Sequence, residues 1–186
     1  MDAIKITDLF KGNQLEELRY WLDWETPANN DETWMNTNPG EWTKMCPEMN
    51  TLHTYTTDKA RDVFSVHNLL PTFCTLKWYE NEGFDYKTHL DTDPVEYTIV
   101  YNYYSEKDWE LEYNGVKYTL ENEEGLAYCG SQFEHGRLKN PGGLTIALYF
   151  NYATPNNHHF IFGEYSSGQP IYKSGRTFNE IEIDWI

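Results

Sequence analysis

The segment Tyr86-Lys87-Thr88-His89-Leu90-Asp91 places an imidazole and a carboxylate two positions apart. In an extended strand, residues two apart point to the same face. His89 and Asp91 can therefore bind one cation from the same side if this segment is a strand. The His-x-Asp pattern alone is common, and a single such histidine is more often a surface or core residue. A third ligand from elsewhere in the chain is needed to complete a metal site.

His135 is the candidate third ligand. It lies 46 residues after His89, in the segment GSQFEHGR, just past the strand-like segment LAYCG. Two histidines and one carboxylate on one face of an octahedron leave three positions open, which is the ligand pattern of non-haem Fe(II) oxygenases. The pattern predicts a ferrous ion whose open positions accept a co-substrate and dioxygen.

The other four histidines have no comparable pattern. His158 and His159 follow Pro155-Asn156-Asn157, a predicted turn, and adjacent residues of a strand face opposite ways. His53 and His67 lie in the first third of the chain, without a partner motif. We predict structural or surface roles for all four.

The first third of the sequence carries the helical patterns. From Asn13, a possible N-cap, the segment QLEELRYWLDW spaces its leucines as in a helix. A second helix is predicted to start near Thr57 and to stop before Pro71. Residues 25–49, rich in Pro, Asn and Gly, predict a long loop anchored by Trp34 and Trp42.

After Pro71 the hydrophobic pattern changes to period two. Its segments are rich in β-branched and aromatic residues and are separated by turn residues: FCTLKWY, VEYTIVYNYY, WELEYNGVKYTL, GLAYCG and LTIALYFNY. Asn114-Gly115 predicts a two-residue hairpin because both positions tolerate positive φ. The terminal segment NEIEIDWI predicts a half-buried edge strand.

These elements predict an α+β fold with a double-sheet β core, a sandwich or jelly roll, backed by the N-terminal helices. The length of 186 residues predicts one domain, 1–186. Within it, residues 1–70 would supply helical support and a loop, and residues 71–186 the β core.

The charge balance argues against one class of partner. The chain has 14 Lys and Arg against 30 Asp and Glu, a formal charge of −16. Binding to a nucleic-acid backbone requires clustered basic residues, so nucleic acid is an unlikely partner. A small-molecule or peptidyl substrate is compatible with this composition.

Cysteine usage and hydropathy bear on the compartment. The three cysteines, Cys46, Cys74 and Cys129, are odd in number and far apart, which is a poor disulfide framework. No apolar run approaches the roughly 20 residues of a membrane helix. The N-terminal segment MDAIKITDLFKG lacks the pattern of a signal peptide. The simplest prediction is a cytoplasmic protein with no membrane segment.

The order of these features resembles the 2-oxoglutarate/Fe(II)-dependent dioxygenases, and within them the small prolyl-4-hydroxylase-like group. The resemblance covers about residues 69–152 and rests on Tyr86-x-x-His89-x-Asp91, on the segment Glu-Gly-Leu-Ala-Tyr, and on Glu134-His135 followed by a Tyr-Phe-x-Tyr strand. It implies a double-stranded β-helix (jelly roll), His89, Asp91 and His135 as Fe(II) ligands, and 2-oxoglutarate as co-substrate. It also implies hydroxylation of a prolyl, amino-acid or other small substrate.

One position departs from the family pattern. The resemblance implies a cation about ten residues after the distal histidine, pairing with the far carboxylate of 2-oxoglutarate, but this position holds Thr145. A dicarboxylate in a pocket requires a cation to offset its desolvation. Arg137 is the first candidate. The remaining candidates are the cations Lys77 and Lys139 and the hydroxyl donors Tyr79, Tyr101 and Thr145.

Two alternatives to a hydroxylase remain open from the sequence. The missing cation at position 145 fits a jelly-roll binding module that has lost turnover. The second alternative is a structural or assembly protein that contacts its partner through an acidic face and in which the His-x-Asp motif is incidental. Tyr86, Tyr101 and Tyr128 either line the pocket or belong to the core. The sequence does not indicate the substrate or the oligomeric state.

Overall fold

The protein consists of two helices and thirteen strands in the residues that the computed structural model describes. These are residues 2–23, 25, 27, 34–38, 40–46, 49–80, 82–83, 86–91, 95–157, 160–166 and 169–172. The elements are β1 (Ile4–Ile6), α1 (Asn13–Leu22), β2 (Trp34–Asn38), β3 (Glu41–Met45), α2 (Asn50–Phe64), β4 (Leu70–Tyr79), β5 (Tyr86–His89), β6 (Tyr97–Ser105), β7 (Leu111–Tyr113), β8 (Val116–Tyr118), β9 (Glu124–Tyr128), β10 (His135–Arg137), β11 (Thr145–Ala153), β12 (Phe160–Ser166) and β13 (Gln169–Tyr172).

The strands form two main antiparallel sheets. The large sheet has seven strands in the order β1-β9-β6-β11-β4-β3-β2, and the small sheet has four in the order β5-β10-β7-β8. Strands β12 and β13 pair with each other. A hydrophobic cluster joins the two main sheets, with Val100, Leu126 and Ala147 from the large sheet and Leu111 and Tyr113 from the small one. The small sheet therefore covers one face of the large sheet.

The opposite face of the large sheet packs against the helices. Because side chains alternate along a strand, Ile99 and Tyr101 of β6 face this side while Val100 faces the small sheet. Helix α2 contributes Leu52, Ala60 and Phe64 to the same cluster, and α1 contributes the buried residues Leu18 and Leu22. The chain is thus mostly β-sheet with two helices, which agrees with the predicted α+β class.

The predicted helices are present, but their ends differ from the prediction. Helix α1 begins at Asn13, and Gly12 rather than Asn13 occupies the N-cap position. Helix α2 begins seven residues before Thr57, at Asn50, and ends at Phe64, with Ser65 in the left-handed conformation (φ 56°). It ends well before Pro71 because residues from Leu70 onward pair as β4.

The prediction of a loop over residues 25–49 is wrong where β2 and β3 form. These strands pair with each other, and β3 also pairs with β4, with Trp42 opposite Trp78. Strand β1 pairs with β9. Residues 1–70 therefore supply three strands to the large sheet in addition to the helices. Local sequence patterns do not predict these strands, because β1 and β3 pair with the distant strands β9 and β4.

The predicted Asn114-Gly115 hairpin is present in the structure. Asn114 (φ 50°) and Gly115 (φ 74°) form the turn between β7 and β8, where Tyr113 pairs with Val116. The three cysteines are buried, and they form no disulfide in the described part of the chain. None of the helices in the described ranges is long and apolar enough to cross a membrane. The predicted edge strand NEIEIDWI lies outside the described residues.

His53 makes the stability of this fold sensitive to acid. Burial lowers its pKa from 6.5 to about 3, although its Nε2 lies 3.0 Å from the Asn151 carbonyl oxygen. The unfolded chain therefore binds a proton below pH 6.5 that the folded chain does not accept until about pH 3. The contribution of His53 is complete above pH 6.5 and is progressively lost below it.

We expect this group to cost about 2–3 kcal/mol of stability near pH 4.5 relative to neutral pH. His53→Gln, which keeps a donor for the Asn151 carbonyl, should lose less stability over this interval than the wild type does. Urea unfolding of both proteins at the two pH values measures the difference. Equal losses would contradict the assignment.

Candidate metal centre

Two of the three candidate ligands face each other across a pair of strands. His135 of β10 is the direct partner of His89 of β5, and their ring centroids lie 4.5 Å apart. Asp91 follows two residues after His89, and its backbone N–H donates to the Gly130 carbonyl oxygen (2.9 Å). The strand pairing thus brings residues 46 positions apart in sequence to one place.

The three side chains converge on one point. The Asp91 Oδ1 atom lies 3.4 Å from His135 Nε2 and 3.7 Å from His89 Nε2. One ligand atom from each residue lies within 4.8 Å of the other two. In the described part of the chain, this is the one group of three or more His, Cys, Asp or Glu side chains with such geometry. The prediction that His89, Asp91 and His135 come together is met.

Both imidazole rings are oriented by backbone carbonyls. His89 Nδ1 lies 3.0 Å from the Lys87 carbonyl oxygen, and His135 Nδ1 lies 3.4 Å from that of Phe133. In the tautomer with the proton on Nδ1, the Nε2 atom of each ring, which faces Asp91, can donate its lone pair to a metal. This is the tautomer that a metal ligand requires, so the donor set fits a divalent transition metal.

The site lies on the edge strand of the small sheet, β5, and on its neighbour β10. The His135 side chain is 6% exposed, that of Asp91 19%, and that of His89 40%, so the site opens to solvent on the His89 side. On its inner side, the Tyr128 ring lies 4.7 Å from the His135 ring. Burial, followed by the Asp91 charge, raises the pKa of Tyr128 well above its usual value. Tyr128 therefore remains a neutral hydroxyl beside the candidate ligands.

Arg137 lies two residues after His135 on the same strand and faces the same interior side. Its guanidinium stacks over Trp109, with the carbon atom 4.6 Å from the ring centroid, and the Tyr149 side chain lies near it. Trp109 is held in turn, because its Nε1 donates to the Leu138 carbonyl oxygen (2.5 Å) and its ring meets Tyr79 edge-on (4.8 Å). The guanidinium is therefore fixed in position.

The hydrogen-bonding capacity of Arg137 is only partly used. The residue is 4% exposed, and its Nε and Nη2 atoms have no hydrogen-bond partner among the described residues. An arginine remains charged even when buried, and a buried charge without a counter-charge is costly. The N–H groups of Nε and Nη2 can therefore donate hydrogen bonds to an anionic group.

The structure distributes the other sequence candidates differently. Tyr79 belongs to the Arg137 cluster, with its hydroxyl 3.3 Å from that of Tyr149. Thr145 is the strand partner of Tyr79, and its hydroxyl accepts from Ser105 Oγ (3.2 Å). Tyr101 is not brought to the site, because it faces the helix side of the large sheet and packs on Phe10.

The two lysine candidates are less suited than Arg137 to an anion. Lys77 Nζ lies 2.6 Å from the buried Glu41 carboxylate, so its charge already has a counter-charge. Lys139 is exposed to solvent. The side chain of Tyr86, another candidate, lies outside the described residues.

The four remaining histidines divide as follows. His53 is buried and bonded to the backbone of Asn151, and His67 is exposed, as predicted for structural and surface residues. His158 and His159 lie outside the described residues.

Solved structures of 2-oxoglutarate/Fe(II) oxygenases are similar to this chain in fold. An oxidoreductase of the 2OG-Fe(II) oxygenase family from Burkholderia pseudomallei matches with a TM-score of 0.64 and 11% identity, over 83% of this chain and 85% of that protein. A prolyl hydroxylase from Trichoplax adhaerens, in complex with a hypoxia inducible factor oxygen degradation domain peptide fragment, matches with a TM-score of 0.60 and 13% identity. The match covers 84% of this chain and 85% of that protein. This chain has the 2-oxoglutarate/Fe(II) oxygenase fold.

A third similar structure contains a bound metal ion and 2-oxoglutarate. HygX from Streptomyces hygroscopicus, with nickel and 2-oxoglutarate bound, matches this oxygenase fold with a TM-score of 0.57 and 10% identity, over 82% of this chain and 83% of that protein. Searches with the sequence found no matching family model and no matching curated protein. The resemblance carried by the motifs is thus confirmed at the level of the fold.

Three residues of the site were not predicted from the sequence. Trp109 and Tyr149 hold the Arg137 guanidinium, and Gly130 lies directly behind the Asp91 carboxylate. A tryptophan or tyrosine in a β-rich sequence is far more often a core residue, so its type carries no signal. Only the strand pairing reveals which aromatic residue lies next to the arginine.

Proposed function

We propose that this protein is an Fe(II)- and 2-oxoglutarate-dependent oxygenase that hydroxylates a prolyl, amino-acid or other small substrate. The observation that carries the proposal is the convergence of His89, Asp91 and His135 on one point, in a chain with the 2-oxoglutarate/Fe(II) oxygenase fold. Two histidines and a carboxylate are the facial ligand set of such enzymes, and they leave three positions for other ligands.

In this proposal the two Nε2 atoms and one Asp91 oxygen hold the metal. The Nδ1 contacts with the Lys87 and Phe133 carbonyl oxygens orient the rings and increase their basicity. Ferrous iron bound there supplies the activation of dioxygen that turns 2-oxoglutarate into succinate and carbon dioxide and inserts an oxygen atom into a substrate C–H bond. The protein itself contributes binding, orientation and exclusion of water.

Arg137 is the proposed partner of the far carboxylate of 2-oxoglutarate. Two positions along a strand correspond to roughly 7 Å, so Arg137 and His135 are spaced as the two ends of a short diacid require. The free Nε and Nη2 donors offer a charge-assisted pair of hydrogen bonds. The Tyr79 and Tyr149 hydroxyls, 3.3 Å apart, lie beside them as further donors. Arg137 thus replaces the cation that is missing at Thr145.

We also infer that the two sheets form a double-stranded β-helix, or jelly roll, within a single domain of residues 1–186. Support comes from the face-to-face packing of the small sheet on the large one and from the coverage of more than four-fifths of the chain by similar oxygenase structures. The cytoplasm remains the predicted compartment.

The substrate class rests on the openness of the site. The 40% exposure of the His89 side chain gives the metal position access from solvent, which suits a peptide side chain or a small molecule. The similar Trichoplax adhaerens prolyl hydroxylase is bound to a peptide fragment, which favours a prolyl substrate as the first to be tested.

Succinate production tests this function directly. With Fe(II), 2-oxoglutarate, oxygen and a panel of prolyl peptides and free amino acids, we expect succinate and a product heavier by one oxygen atom. Omitting iron or oxygen, or substituting Asp91→Ala, should abolish both. Tight binding of iron and 2-oxoglutarate without succinate from any substrate would instead favour a jelly-roll binding or assembly protein.

A further inference from the structure

Gly130 stands immediately behind a candidate metal ligand. It follows β9, and its carbonyl oxygen accepts the hydrogen bond from the Asp91 backbone N–H (2.9 Å). The next residue, Ser131, donates from its backbone N–H and its hydroxyl to the Glu96 carbonyl oxygen (3.5 and 3.4 Å). Residues 130 and 131 therefore bond to the backbone at Asp91 and at Glu96, and these bonds hold the Asp91 backbone close to Gly130.

The space that a side chain would occupy at position 130 is filled by two candidate ligands. A Cβ atom there would overlap Asp91 Oδ2 and would lie 2.7 Å from Asp91 Cγ and 2.9 Å from His135 Cε1. Real Cβ atoms essentially never make contacts below 3.0 Å. The backbone at Gly130 does not have positive φ, so its conformation is open to any residue. The site, and not a turn, requires glycine here.

We propose that Gly130 is a positioning residue of the metal centre: its missing side chain leaves the room in which the Asp91 carboxylate turns toward His135. This inference rests on the proposed metal site. The contact that depends on it is the 3.4 Å separation between Asp91 Oδ1 and His135 Nε2. With alanine at position 130, the carboxylate must rotate away, and it leaves the point that it shares with the two imidazoles.

The test compares Gly130→Ala with Gly125→Ala. Gly125 lies on β9, also lacks positive φ, and its added Cβ would meet the Val100 carbonyl oxygen at 3.4 Å and Ile6 Cβ at 3.6 Å, which are tolerable contacts. Titration of each protein with Co(II), without oxygen, reads both affinity and coordination geometry from the visible spectrum. We expect Gly130→Ala to weaken Co(II) binding by at least about tenfold and to change the spectrum. Gly125→Ala should bind as the wild type does.

Unchanged Co(II) binding by Gly130→Ala, or equal losses in both variants, would overturn the proposal. Failure of the wild type to bind Co(II) would instead contradict the proposed function. The steric argument about Gly130 is then tested separately, by the thermal stability of variants without metal. In thermal unfolding, Asp91→Ala combined with Gly130→Ala should recover more than half of the melting temperature that Gly130→Ala loses. If Gly130→Ala alone fails to fold, a folded double variant is the expected recovery. An absence of recovery contradicts the steric argument.

Discussion

Asp91→Ala and His135→Ala should each abolish the weak visible charge-transfer band that we expect ferrous iron and 2-oxoglutarate to give with the wild-type protein in the absence of oxygen. The band requires a metal that binds the protein and chelates the co-substrate at the same time. Either substitution leaves two of the three converging ligands. Loss of a ligand should weaken metal binding by more than the roughly 10- to 100-fold that the loss of an outer-shell partner costs.

Two exposed residues provide matched controls for these variants. His67→Ala removes an exposed imidazole and Asp108→Ala an exposed carboxylate, and both should leave the band unchanged. Circular dichroism establishes that each variant is folded. If the wild type gives no band at saturating iron, or if Asp91→Ala retains it, the catalytic proposal is wrong and a binding module becomes the better account.

Arg137→Ala should lower the affinity for 2-oxoglutarate while metal binding persists. The Nε and Nη2 N–H groups of Arg137 are buried, so water cannot take their place as hydrogen-bond donors to the carboxylate once the arginine is removed. Removing one member of a buried, hydrogen-bonded charge pair costs about 2–5 kcal/mol, which corresponds to a roughly 30-fold or greater loss of affinity. Titration of 2-oxoglutarate into the metal-loaded protein, followed by the charge-transfer band, measures it.

Two further variants sharpen this result. Arg137→Lys keeps the charge but loses the planar fork and the stacking on Trp109, so we expect an intermediate affinity. Lys139→Ala removes an exposed cation and should have no effect. If Arg137→Ala binds 2-oxoglutarate normally, the cation must be Lys77 or Lys139. Lys77 would then have to release Glu41, from which it is separated by 2.6 Å.

Some of the fold was predictable because its signals are local. The alternation in β4, β6 and β11 comes from residues that are adjacent in sequence, and the Asn114-Gly115 turn depends only on the conformational freedom of its two residues. Strands β2 and β3 were missed for the opposite reason. Strand β3 pairs with β4, whose partner residues lie 30 to 38 positions away, and β2 joins the sheet by pairing with β3.

The sequence by itself determined the types and order of the candidate ligands. The spacing of His89 and Asp91 places both on one face of an extended segment. His135 could be named from its place after a strand and from the family resemblance. Which candidate ligand faces which, and which candidate cation has N–H groups without a partner among the described residues, were decided only by the tertiary structure. The antiparallel pairing of β5 and β10 sets His135 opposite His89.

The same pairing turns Arg137 inward beside Trp109 and brings Asp91 against Gly130. These contacts join residues that are far apart in the chain, and their geometry depends on strand register and sheet packing. A linear sequence carries no direct record of either. The candidate metal ligands were therefore accessible from the sequence, whereas the position of the arginine and the close approach of Asp91 to Gly130 depend on how the sheets are assembled.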